Sequence, residues 1–453
     1  MARSIRLSVM LLACITPRAQ ADEPLRVGVF DVDASPPIGS PLAYDPTKEV
    51  TTPLSCRGVV IAGAGDPIVL CAIDWIGVGG GGQTVFRRHI AEALGTLPQR
   101  IVIHALHQHD APRCDFSVDE ILNHHGIGGT GFDPVFARRV VEQTAAAARE
   151  ALARAQPVTH LGLGEGVVEK VASNRRILGA DGKVLHMRFT ATRDPAIRAY
   201  PAGTIDPQCK LIAFYNDDEP LAALTYYATH PQSYYRTGQA NPDFPGMARN
   251  ARQETTGVPH IHFNGAGGNI GAGKWNDGAH ENRQVLADRV AEGMRRAWEC
   301  VEKTPISSAD VSWLVEPIAL PVSPDLNEAE LQAAIEDSTA QPRTRYDAAR
   351  KLVWLRRCEA GDTIDIACLG LKSARILHMP GELFVEYQLA AQDARPDLFV
   401  AMAAYGDYTP GYIGTEIAYT QGGYETSPRA SNVAPSVEIV LMGAIDRLLE
   451  VDR

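Results

Sequence analysis

Two histidines at the end of an apolar run are the feature of this chain best suited to chemistry, in Arg100-Ile-Val-Ile-His-Ala-Leu-His-Gln-His109-Asp-Ala-Pro112. Residues two apart on a strand point the same way, so the run delivers His107 and His109 to one side just before the chain turns at Pro112. Neutral imidazoles converging there can be zinc ligands, or one ligand with an acid/base partner. The alternative is a pair of hydrogen-bonded loop histidines. His230 ends another apolar run, Leu221 to Tyr227, in Tyr226-Tyr-Ala-Thr-His-Pro231, and Glu382 follows the strand-like Ala374 to Leu377 in His378-Met-Pro-Gly-Glu-Leu-Phe-Val-Glu386. Each has an ordinary structural reading by itself: a histidine satisfied inside the fold, or an acid favoured by the dipole at a helix start.

The glycine-rich stretch Asn264-Gly-Ala-Gly-Gly-Asn-Ile-Gly-Ala-Gly-Lys274-Trp275 has the separation of a phosphate loop between Gly268 and Gly273-Lys274. Trp275 stands where such a loop needs a magnesium-holding hydroxyl, which argues against a nucleotide triphosphate. The amides of the loop could instead form an anion-stabilising nest beside a metal.

The elements that must carry these residues alternate between strands and helices. Strands are expected over Arg26 to Asp31, Gly58 to Ala62, Ile68 to Asp74 and Arg100 to His104. Asp133-Pro134 caps a helix running to about Ala155. A helix from Gln284 to Val301 carries Leu286, Val290, Met294, Ala297 and Val301 on one face, and a last helix from Pro435 carries Ile439, Met442, Ile445 and Leu449. The charged, Ala-rich segment from 325 to 360, divided by Pro342, reads as a helical insertion, either a solvated hairpin or a lid or partner surface. No repeat appears. The expected class is α/β, with layered mixed β-sheets and flanking helices.

Composition narrows the partners. The 453 residues are 45% hydrophobic and 21% charged, a globular mix rather than a disordered one. A formal net charge of −11 opposes phosphate backbones and anionic lipid surfaces, so nucleic acid is not an expected partner. Arg3 and Arg6 precede an apolar run from Leu7 to Ile15, and Ala19-Gln20-Ala21 follows, which reads as a cleaved export signal over 1–21 leading to the periplasm or the outside. Leu11-Leu12-Ala13-Cys14 loosely matches a lipoprotein box, a less favoured alternative. The run is too short to span a bilayer, and no later window qualifies. Seven cysteines follow the signal, an odd number without any CxxC pair, which argues against a thiolate zinc site and leaves disulfide pairing open.

In order along the chain, these segments resemble the catalytic domain of the neutral/alkaline, non-lysosomal ceramidase family, as a divergent member spanning 22–453. The resemblance is carried by Leu106-His-Gln-His-Asp-Ala-Pro112, Asn174-Arg175, Ala228-Thr-His230, Pro380-Gly-Glu382, and Gly411-Tyr-Ile-Gly-Thr415 through Glu416, Tyr419 and Tyr424-Glu425. It implies one zinc ion per chain held by His107, His230, Glu382 and Tyr419. His109 would lie nearby, Arg175 would orient the substrate carbonyl or carboxylate, and Tyr419 would swing between the metal and a developing oxyanion. Two departures matter. Gly271 stands where the family carries a serine often assigned as catalytic, so a serine acyl-enzyme is not expected here and Asn269 with the loop amides would supply the oxyanion donors. A C-terminal β-sandwich like the family's is not expected here.

The expected activity is therefore exported, zinc-dependent hydrolysis of an N-acyl bond in a small or lipid-like substrate. The alternatives are an enzyme of the same fold acting on a sugar or other polar conjugate, and a metal-dependent binding protein without turnover. Tyr226, Tyr227, Tyr234, Tyr235, Arg236, Trp275, Tyr405, Tyr408 and Tyr412 cluster in sequence around the expected ligands and lean toward a polar substrate.

Overall fold

A computed structural model of the chain describes residues 23–451, so the expected export signal and Cys14 lie outside the described residues. Three mixed sheets make the fold. In the first, Ile101–Ala105, Ile68–Ile73, Ser55–Ala62, Arg26–Asp33 and Gln156–Pro157 lie side by side. In the second the order is His260–Asn264, Glu219–Tyr227, Gln208–Asn216, His160–Val167 and Glu302–Pro305. The third runs Val311–Ile318, Ile364–Leu371, Ala374–His378 and Phe399–Ala403.

Alternation along these strands decides how the sheets stack. On the inner faces, Val59, Leu70, Ile212, Leu224, Ile261, Phe263, Leu369 and Ile376 form one cluster to which all three sheets contribute. On the first sheet's opposite face, Val60, Val69, Cys71 and Ile73 meet Phe86 and Ile90 of the Gly80–Leu94 helix and Val140 and Val141 of the Pro134–Ala153 helix. The second sheet is backed by Leu286, Val290, Met294 and Ala297 of the helix Asn282–Glu299. The third is backed by Tyr387 and Ala391 of Val385–Ala394 and by the last helix, Val437–Leu448. The expected class of layered mixed sheets with flanking helices is what the structure has.

Two faces differ from expectation. The last helix packs through Leu441, Ala444, Ile445 and Leu448, while Ile439 is 70% exposed. Of the expected stripe, Ile445 and Leu449 are buried and Met442 packs partly on the core, so only its first member, Ile439, falls outside the apolar face. In the segment from 325 to 360, the helix Glu328–Glu336 is solvated and buries only Ile335. The helix Pro342–Glu359 instead buries eight residues, among them Tyr346, Leu352 and Trp354. It packs on Val118 and Leu122 of the Phe116–His124 helix, and the Trp354 indole donates to Asn432 O at 2.8 Å.

Each sheet contains one parallel pair that matters for the site: Ile68–Ile73 with Ile101–Ala105, Glu219–Tyr227 with His260–Asn264, and Ala374–His378 with Phe399–Ala403. Their carboxyl ends open toward one another, where α/β folds commonly place ligands. Backbone bonds tie the ends together: Ala105 N donates to Tyr405 O (2.9 Å), Gly265 N to Tyr227 O (2.9 Å), and Ala404 N to Asn264 O (2.9 Å).

Candidate metal centre and its cleft

His107, His109 and His230 meet at these strand ends, each offering a ring nitrogen within 4.8 Å of the others, and all three are buried. His107 is aimed from behind. Its amide donates to Trp75 O at 2.8 Å, and Nδ1 lies 2.6 Å from Ile76 O, an acceptor that fixes the proton there and leaves Nε2 as the lone-pair nitrogen. Nε2 lies 3.1 Å from Glu382 Oε2, and neither atom has a well-directed hydrogen-bond partner although both are buried. Buried polar atoms left this way normally cost stability, so three imidazoles and a carboxylate without partners fit a divalent cation.

Electrostatics agree with that donor set. Burial pushes the His109 and His230 imidazoles well below their usual range, and the neighbouring His107 and Arg175 push them further, so both are neutral lone-pair donors. Burial alone would raise the Glu382 carboxyl. His107, the Tyr412 hydroxyl and Arg175 overcome that and hold it below its ordinary value, hence ionised.

The local chain is strained where it serves the site. His107, Tyr405 and Arg236 have φ of +70°, +61° and +68°, in the left-handed region that side chains seldom adopt. Strain at His107 turns its ring onto the Tyr405 ring, with centroids 4.5 Å apart. Glu382 sits in the short strand Glu382–Leu383, paired in parallel with Tyr412–Ile413, rather than in the first turn of a helix. Gly381 at φ +63° makes the preceding turn, where an added Cβ would fall 2.7 Å from Gly411 O.

Arg175 is fixed by a hydrogen bond from its amide to Asn269 O (2.7 Å), and its guanidinium reaches the Tyr412 hydroxyl (3.2 Å) and Glu425 (3.2 Å). The structure thus brings His107, His109, His230, Glu382 and Arg175 together. Two expected residues are elsewhere. Tyr419 lies on the helix Glu416–Gln421 with its hydroxyl 2.9 Å from Ser431 Oγ, packed against the core behind the third sheet. Tyr412, seven residues earlier, faces Glu382 instead. Asn269 accepts from Val385 N (2.9 Å) and donates to Glu386 (2.8 Å), so both ends of its amide are used up in holding the loop.

The glycine loop is likewise packed rather than presented as a nest. Gly268 N donates to Leu383 O (2.8 Å), Ala266 N to Gln388 (2.9 Å) and Ile270 N to Gly267 O (3.1 Å). A Cβ on Gly268 would fall 2.2 Å from Glu382 O, so glycine is needed for the loop to lie against the strand that carries the carboxylate. Gly271 contacts the Arg175 stem, 3.2 Å from where its Cβ would be.

Above the histidines opens a cleft of about 480 Å³, the size of a small-molecule site. Of the tyrosines, tryptophan and arginine expected there, Tyr235, Arg236, Tyr408 and Tyr412 line it. Tyr405 lies beneath His107, Tyr226 stacks on Phe263 in the core, Tyr227 is buried among core residues, and Tyr234 stacks on His280. Trp275 donates to Ala172 O at 3.4 Å, outside the cleft lining. The lining that sequence reasoning missed comes mostly from Pro342–Glu359, which supplies Arg343, Asp347, Arg350 and Lys351, and from Tyr44, Arg113, Phe189 and Arg429. The i, i+4, i+7 spacing of the first three of those helical residues was a readable stripe, but nothing local said what it faced.

Fold and site define a class: a mixed-sheet α/β protein with a buried histidine and carboxylate centre at the strand ends. No protein-family model matches the sequence, and no curated protein matches it. Among solved structures it is similar to neutral ceramidase from Pseudomonas aeruginosa, with a TM-score of 0.67 and 17% identity, over 95% of this chain and 74% of that one. It is similar also to a ceramidase complexed with C2, with a TM-score of 0.66 and 16% identity, over 94% of this chain and 75% of that one. The fold is that of the neutral ceramidases.

Proposed function

We propose that the chain is a zinc-dependent hydrolase that cleaves an amide, an N-acyl bond, in a substrate seated in the cleft. The reading is carried by one observation: three imidazoles and an ionised carboxylate converge with unpartnered buried atoms at the floor of an open pocket. His107, His109, His230 and Glu382 would hold the cation, a nitrogen-rich set that suits zinc better than calcium or magnesium. A zinc ion there would supply Lewis acidity for activating water and polarising an acyl carbonyl. Similarity of fold to neutral ceramidases supports the hydrolase reading without fixing the substrate.

The remaining roles fall to this chain's own side chains. Arg175, held by Glu425 and Tyr412, keeps a fixed positive charge beside the floor and orients a carbonyl or carboxylate oxygen. Burial pushes the Tyr412 phenol well above its usual range, so it stays protonated and can donate to a developing oxyanion. In that role it replaces both Tyr419 and Asn269. Gly271 offers no nucleophile, so water attacks directly.

Metal analysis of the purified protein, joined to a panel of N-acyl sphingoids, N-acyl amino acids and glycosides, tests the proposal. One zinc per chain with turnover of an amide is expected. Turnover of glycosides alone retires the amidase, and zinc without turnover of any member leaves a binding protein. We further propose export, supported by the Leu7 to Ile15 run and Ala19-Gln20-Ala21. Sequencing the mature N-terminus should find Asp22 first; an acylated Cys14 would mean anchoring instead.

A further inference from the structure

The protein is acidic overall, with net charge −11, yet its cleft is lined by seven arginines and lysines against Asp347 and Glu382. Such a reversal of sign in one concave surface raises the local concentration of anions. Two of those cations already have a carboxylate partner within the protein. Glu425 pairs with Arg175 and Asp347 with Arg343, at 3.2 and 2.8 Å. Among the described residues the other five make no ion pair with a carboxylate.

Their surroundings keep them in place with little direct neutralisation: Asp347 and Asp115 act on Arg350, and Asp347 and Asp325 on Lys351, only through space. Arg113 is buried, donates to Ala43 O at 2.8 Å and to the Tyr346 hydroxyl, and has its Nε without a partner. Arg350 lies over the Tyr408 ring at 4.8 Å, and Lys351 donates only to the carbonyl of Pro428, at 3.0 Å. Arg236 leans on Tyr44 and Tyr235, at 5.1 and 5.5 Å. Cation–π contacts and carbonyls hold a guanidinium without neutralising it. A buried arginine with an open donor is stabilised chiefly by what binds it.

The uncharged part of the lining points the same way. Apolar side chains in the cleft are few, Ile76, Phe189 and Ala430, while tyrosine faces predominate. Two long acyl or sphingoid chains need a continuous aliphatic groove, and this cleft lacks one. Tyrosines and arginines suit a compact polar group with a flat face, such as a sugar ring or an amino acid.

We propose that the substrate carries an oxyanion group, a carboxylate, sulfate or phosphate, that docks between Arg113 and the Arg350-Lys351 edge while its scissile bond lies over the histidines. This specificity rests on the hydrolase reading of the floor and names the substrate class that floor serves: an N-acyl amino acid or an acidic, N-acylated sugar rather than a ceramide.

The test uses matched pairs: an N-acetyl amino acid against its methylamide, and an N-acetylated amino-uronic acid against its uncharged amide. Binding is measured by calorimetry on the purified protein, and kcat/KM on the zinc-loaded form. The anionic member should bind at least about tenfold more tightly, with a preference that shrinks as salt rises. R350M with K351M should reduce the preference to about threefold or less, and R350K should retain it. Equal binding of both members by the unmodified protein overturns the anion proposal, and equal turnover then leaves the hydrolase standing. Preference for the anion in binding without turnover of any member does the reverse: it upholds the anionic ligand and removes the hydrolase.

Discussion

The floor and the wall of the cleft are built by opposite means. On the floor, His107, His109, His230 and Glu382 leave the ends of strands from three sheets, are buried, and are aimed by backbone bonds within a few residues. On the wall, Arg343, Arg350 and Lys351 project from a helix that is docked by its opposite, apolar face, and they remain half-buried or exposed. Rigid, desolvated groups suit bond chemistry, because their geometry and protonation are set before a ligand arrives. Long cationic side chains on a docked helix suit selection, since their positions can change without disturbing the floor. If this division is real, damage to each region should have a different signature.

The largest effect should come from the floor itself. His230→Ala and Glu382→Gln each remove a donor, and each is expected to strip the metal and lower kcat/KM by more than about 100-fold, beyond what loss of an outer partner costs. Metal content by mass spectrometry, with far-UV dichroism to confirm the fold, checks this. Retention of a full metal equivalent in both variants would show that the imidazoles and carboxylate do not share an ion.

Next is the brace behind the floor. Arg249 and Asp74 form a two-point ion pair at 2.7 and 2.9 Å with neither side chain exposed, and the chain after Asp74 supplies the Trp75 and Ile76 carbonyls that aim His107. Arg249→Met leaves a buried carboxylate unpaired and should cost about 3–5 kcal/mol of stability, read from denaturant midpoints. The pH dependence has a definite sign. Burial would raise the Asp74 carboxyl, but Arg249 and Ser55 hold it below its unfolded value of 3.8. Its contribution is therefore complete above pH 3.8 and is lost as pH falls through the lower, folded value. The gap between the native protein and R249M should narrow in that acid window.

The wall should respond more gently. Arg357 near the end of the Pro342–Glu359 helix bonds Asp407 at 2.8 Å, tying the helix to the loop that carries Tyr405 and Tyr408. Because the pair is partly solvated, Arg357→Met should cost about 1–2 kcal/mol. Its kinetic mark should be a raised KM with kcat nearly unchanged, the reverse of a floor lesion.

The same contrast explains what could be read from the chain. His107, His109, His230 and Glu382 were legible because each stands in a short segment whose apolar run and turn residues fix its direction locally. Strands such as Ile68–Ile73 and helices such as Pro134–Ala153 were legible for the same reason, through alternation and an Asp-Pro cap. Arg113, Arg350 and Tyr44 were not, since they become neighbours only when the Pro342–Glu359 helix docks across the strand ends. Periodicity reports which side of a helix is apolar and is silent on what the polar side will face. Asn269 failed differently: it lies on the loop packed against Glu382, but two hydrogen bonds to the next helix had already claimed its amide.

Tyr419 and Tyr412 provide the finest test, because a one-atom change separates two readings of one short segment. The Tyr419 hydroxyl meets Ser431 at 2.9 Å and the backbone of Gly414, and the half-buried ring packs behind the third sheet. Removing it in Tyr419→Phe forfeits only neutral hydrogen bonding, worth about 1 kcal/mol. Metal affinity and kcat should stay as they were. In Tyr412→Phe the lost hydroxyl is the one shared by Arg175 and Glu382, so kcat should fall by about tenfold or more while stability changes no further than in Tyr419→Phe. If the two variants instead exchange roles, with the metal lost from Tyr419→Phe and kcat intact in Tyr412→Phe, the floor includes the Glu416–Gln421 helix and the boundary drawn between the two regions is wrong.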